Sequence, residues 1–95
     1  MKRPWVLGGA VLLSFGLAAG CATANALQSA KDSFARAKAA GAEKKAPYEY
    51  YAAEIYLSLA QHEADDGDRA GVRDFTEKSQ NFSFEALQKA TGGAK

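Results

Sequence analysis

The stretch Pro47–Asp68, PYEYYAAEIYLSLAQHEADDGD, decides the fold. Pro47 suits the first turn of a helix, where a missing N–H is harmless, and Glu49 in that turn complements the positive end of the helix dipole. A helix to about Ala64 follows. Its apolar positions, Tyr48, Tyr51, Ala52, Ile55, Tyr56, Leu59 and Ala60, form a band broad enough to touch two other helices and are the main core candidates. Asp65-Asp66-Gly67-Asp68 then breaks the pattern. Gly67 can take the left-handed position past a helix end and Asp68 can cap the next helix, which predicts a tight turn between antiparallel helices.

Downstream, the spacing predicts a helix from Arg69 to about Ala90, with Val72, Phe75, Ser79, Phe82, Ala86 and Ala90 inward at alternating steps of three and four. Phe84 and Leu87 lie beside that stripe. Gly71 costs about 1 kcal/mol against alanine and marks the first turn as the least stable part. Thr91–Lys95 reads as a polar tail.

Upstream, Leu27, Ala30, Phe34, Ala37 and Gly41 recur at helical spacing and predict a shorter helix over Leu27 to about Ala40. Its alanine-rich stripe can approach a neighbour closely. Gly41 ends it, residues 42–46 connect it to the next helix, and residues 22–26 read as a short tether. The expected architecture is all-α: an antiparallel helical hairpin with a shorter N-terminal helix, occupying residues 27–90.

The first 21 residues have another character. Lys2 and Arg3 precede an uncharged apolar run from Trp5 to Gly20, which closes on small residues before Cys21, the one cysteine in the chain. This is the layout of a secretory signal. A spanning helix needs about 20 apolar residues, and four glycines interrupt this run, so a cleaved signal over residues 1–20 is the better reading. Leu17-Ala18-Ala19-Gly20-Cys21 resembles the bacterial lipobox, in which small residues precede a cysteine that is lipidated on sulfur before cleavage. It departs in having Ala18, rather than a branched residue, three positions before the cysteine. The resemblance implies a lipid anchor on Cys21. Ala22 after the cysteine, by resemblance to sorting in enteric bacteria, implies the outer membrane facing the periplasm.

Composition narrows the remainder. Twelve Lys and Arg, less Lys2 and Arg3, face eleven Asp and Glu in the mature chain. With no basic stripe or polybasic cluster, a nucleic-acid partner is not expected and the lipid itself must supply the membrane affinity. A single cysteine allows no disulfide framework. His62 has no nucleophile or orienting partner in the pattern, and its place near a helix C-terminus favours the dipole. Asp65, Asp66 and Asp68 lack the alternating oxygens and closing glutamate of a calcium loop and read as a capped turn. Asn81-Phe82-Ser83 matches a glycosylation triplet but falls inside a helix behind a bacterial signal. No catalytic residue, metal, cofactor or small-molecule substrate is therefore expected.

Tyr50 falls opposite the Tyr51, Ile55 and Leu59 band and is the candidate exposed contact for a partner. Residues 46–57, with the acidic turn and the helix after it, resemble a family of small bacterial lipoproteins whose domain has no assigned function. That likeness implies a helical periplasmic domain without known catalytic residues. Tyr56, Leu59, Ala60 and Gly67 also resemble the signature positions of one tetratricopeptide unit. Arg69 and Thr76 stand where that repeat has aromatics, and a single unit makes no solenoid.

The expected function is a lipid-anchored, non-catalytic cell-envelope module that binds another envelope protein or itself. The alternative is a structural link to peptidoglycan: a chain ending in Lys95 is similar to the murein lipoprotein, whose C-terminal lysine is joined to the wall.

Overall fold

The computed structural model describes residues 22–92. The signal segment, the lipobox residues Leu17, Ala18, Ala19 and Gly20, Cys21 and Lys95 all lie outside the described residues. Within them the chain is helical, with no strand. Helix α1 covers residues 22–39; α2 is a single turn, Ala42–Lys45; α3 is Pro47–Asp65; and α4 is Arg69–Ala90.

The two long helices form the expected hairpin. Pro47 opens α3 at its first turn, Gly67 takes a φ of 79° in the turn, and the Asp68 carboxylate accepts the Gly71 N–H at 3.0 Å to cap α4. Helix α1 lies along this hairpin. Ala22, Thr23 and Ala26 adjoin Arg69, Val72 and Arg73, while Ala37 joins Ala86 and Ala90 in one buried cluster. It therefore runs parallel to α4 and antiparallel to α3.

Two boundaries differ from the sequence reading. Residues 22–26 are helical and belong to α1, because alanines and polar residues without a helix breaker simply continue the helix towards the N-terminus. The connector after Gly41 contains α2, made possible by the left-handed Gly41 at φ 82°. That residue redirects the chain and buries Ala42 and Ala46 at the corner of the three helices.

The core is built mainly from small side chains, joined by the larger Tyr50, Leu27 and Val72. Ala30, Ala37, Ala42, Ala53, Ala60 and Ala86 are fully buried, and the largest fully buried side chains are Val72, Ser79 and Ser83. Such helices approach closely, and dispersion between facing backbones replaces the interdigitation of large residues. Ser79 fits this seam because its hydroxyl donates to the Ala53 carbonyl across the hairpin at 2.9 Å. On α4 the expected inward residues Phe75 and Phe82 are only half-buried, displaced by Thr76 and Ser83 one position on. The phenyl rings flank the seam instead. Tyr56 stacks between them, its ring centre 6.0 Å from that of Phe75 and 5.9 Å from that of Phe82.

Candidate interaction surface

The face of α3 that packs inward is the one carrying Glu49, Tyr50, Ala53 and Ala60. Tyr50 is 3% exposed and lies against Phe34 of α1 at a ring distance of 4.9 Å. The expectation that Tyr50 is an exposed contact is thus corrected: α1 covers it, and burial raises the pKa of its hydroxyl. Of the expected core band, Ala60 is fully buried and Ala52 and Tyr56 are half-buried, while its other four members are turned outward. Tyr48 is 72%, Ile55 58%, Tyr51 45% and Leu59 37% exposed.

These residues form an ordered seam on α3. Tyr48, Ala52, Ile55, Leu59 and His62 follow one another at steps of four, three, four and three, the spacing that keeps a stripe facing a partner helix. Because Ala52 is small, Pro47, Tyr48, Tyr51, Ala52 and Ile55 line an open concavity of about 400 Å³. A ring contact and a hydrogen bond steady its rim. Tyr48 meets Phe82 edge to face at 6.0 Å, and the Tyr51 hydroxyl donates to the Glu43 carboxylate at 2.9 Å, which raises the tyrosine pKa.

The ends of the seam carry opposite charge. Lys44 and Lys45 are exposed before its start, while Asp65 and Asp66 are exposed beyond its end. His62 lies 3.4 Å from Asp66 in an exposed i,i+4 pair at the C-terminus of α3, as its position suggested. Among the described residues, no group of three or more His, Cys, Asp or Glu side chains could hold a metal ion.

The titratable groups that do meet serve the hairpin. Glu63 shares a hydrogen bond with Asp68: the contact raises the Glu63 pKa, whereas the Gly71 N–H, followed by Glu63, lowers that of Asp68. Gly71 has a packing reason the sequence did not disclose. A Cβ there would stand 2.8 Å from Glu63 Cγ, so glycine makes room for this carboxyl pair.

Glu49, read in sequence as a dipole partner, also reaches Lys89 forty residues away. The Lys89 ammonium holds the Glu49 carboxyl below its usual range, and Glu49 in turn raises Lys89. The stabilisation from Glu49 is present above the unfolded carboxyl range and is lost as pH falls through its lowered folded pKa. That from Lys89 is present below the unfolded lysine range and is lost as pH rises through its raised one. Lys89→Ala strands a nearly buried carboxylate, so urea titrations are expected to show a loss of roughly 1–2 kcal/mol at neutral pH, discounted for the half-exposed lysine. The loss should shrink once Glu49 is protonated in acid. An equal loss at all pH values would mean that packing, not charge, joins these helices.

Comparison with known proteins yields no match among curated proteins and none among solved structures. A family model does match, over residues 25–93, a span that takes in nearly all of α1 and the whole of α2, α3 and α4. The chain belongs to the family of that model, a domain of unknown function designated DUF4398.

Proposed function

We propose that the protein is a lipid-anchored, non-catalytic interaction module of the bacterial cell envelope, held through Cys21 at the outer membrane facing the periplasm. Its outer α3 face binds another envelope protein or a second copy of the chain. The observation that carries this reading is the exposure of Tyr48, Tyr51, Ile55 and Leu59 on one side of one helix, while the buried apolar residues, apart from Leu27, Tyr50 and Val72, are all alanines. Large apolar and aromatic side chains gathered on a surface mark a contact site, and tyrosine is favoured there because it combines area with a polar tip. The non-catalytic part draws on how the charged groups are used: Asp68 caps α4, and Glu49 with Lys89 ties α3 to α4.

A photoreactive residue at position 55 of the anchored chain is expected to trap a discrete adduct in cells, whereas one at the exposed Arg36 of α1 is not. Ile55→Glu places an unpaired charge in the centre of the contact and should abolish an adduct trapped from position 51. Equal labelling from positions 55 and 36 would sink the reading.

A further inference from the structure

The geometry points to a second copy of this chain as the occupant of the outer α3 face, packed as an antiparallel helix pair. This inference rests on the reading of α3 as the contact face and adds the identity and orientation of the partner. Three observations converge on it.

The first is the shape of the concavity. Tyr48, Tyr51, Ala52 and Ile55 stand at i, i+3, i+4 and i+7, which is the four-residue hole that receives one side chain from a facing helix. The seam also supplies the side chain to fill it. When two α3 helices run antiparallel with Ala52 opposite Ile55 of the second copy, Ile55 of each enters the hole of the other and Tyr48 meets Leu59. One patch then serves both sides, as a two-fold interface requires.

The second is charge. The exposed Lys44 and Lys45 precede the seam and the exposed Asp65 and Asp66 follow it, while the nearby Glu43 carboxylate is engaged by the Tyr51 hydroxyl and Glu63 by Asp68. Antiparallel packing brings the lysines of one copy to the acids of the other at both ends. Parallel packing would set like charges side by side.

The third is the distribution of apolar bulk. Apart from Leu27, Tyr50 and Val72, the buried apolar residues are all alanines, whereas Tyr48, Ile55 and Leu59 lie in the seam. A domain of this size with a small-residue core has little stability in reserve, and burying the seam against an identical seam adds the missing apolar contact. Anchoring in a bilayer concentrates copies of one chain and makes such a pairing effective at modest affinity.

The test uses the full chain in membranes, with two differently tagged versions coexpressed and mild oxidation applied. Tyr48→Cys in one version and Leu59→Cys in the other are expected to give a disulfide-linked pair well above the background of the unsubstituted chain. Each variant alone is not, because residues 48 and 59 are separated by about 16 Å along a helix, beyond disulfide reach. Lys44→Glu with Lys45→Glu should lower the yield about tenfold, and adding Asp65→Lys with Asp66→Lys to the same chain should restore it. Strong 48–48 and 59–59 bonds without a 48–59 bond would overturn the antiparallel arrangement. A disulfide or photoadduct from this face to a different protein, with none between copies, would overturn the second copy while leaving the contact face intact. Failure of position 55 to trap anything would overturn both.

Discussion

Replacing Ala53 with leucine is expected to leave the domain largely unfolded. Ala53 is fully buried at the middle of α3, and its carbonyl accepts the Ser79 hydroxyl from α4. Three added carbons have nowhere to go in a seam where helices meet through methyl groups and hydroxyls, so α3 must move off α4 and the Ser79 hydrogen bond opens. Overpacking costs about 1–3 kcal/mol, and a buried hydroxyl left without a partner costs about 1–3 more. A single core in a domain this small supplies only about 3–5 kcal/mol, so the two losses together consume it. Glu54→Leu, one residue along on the exposed side, should change stability by less than about 0.5 kcal/mol. Circular dichroism melts of both variants check the contrast. A sharp, native-like transition in Ala53→Leu would show that the seam is looser than its small residues imply.

A second large effect is expected from Cys21→Ala, which should move the protein from the membrane fraction to the soluble one without unfolding it. Each buried methylene of an acyl chain contributes about 0.8 kcal/mol, and two or more chains anchor stably where one does not. No helix among the described residues is long and apolar enough to cross a membrane. Fractionation with alkaline extraction, followed by mass spectrometry of the N-terminal peptide, reads the outcome. Retention of Cys21→Ala in extracted membranes would dispose of the anchor, and an unmodified thiol in the native chain would do the same.

Most of the fold was legible because breakers and caps announce themselves locally. Pro47, the Asp65-Asp66-Gly67-Asp68 turn and the last alanine before Thr91 place both ends of α4 and the start of α3 where they are observed, and the end of α3 within one residue. The orientation of α3 was not legible in the same way. Two stripes compete on that helix: Tyr48, Ala52, Ile55 and Leu59 carry more bulk, while Tyr50, Ala53, Leu57 and Ala60, with two alanines, carry less at equally good spacing. Weighing bulk alone selects the wrong one. The discriminating signal lies in the neighbours, since Ala30 and Ala37 on α1 and Ser79, Ser83 and Ala86 on α4 admit only a partner that also comes close. Contacts between distant positions, such as Glu49 with Lys89 or Glu63 with the space over Gly71, leave no mark in local pattern. They exist only once the hairpin closes.

Residue 22 is already helical, so a lipid on Cys21 would sit one residue from the bundle. The bilayer would grip the bundle directly at the end that carries the α3–α4 turn, and each copy could sweep only the layer that one short bundle spans. In the antiparallel pair the two grips fall at opposite ends, about 30 Å apart for helices of this length. Both reach the same leaflet only when the helices lie along it, so the pair would rest on the membrane as a plank rather than stand on it as a post.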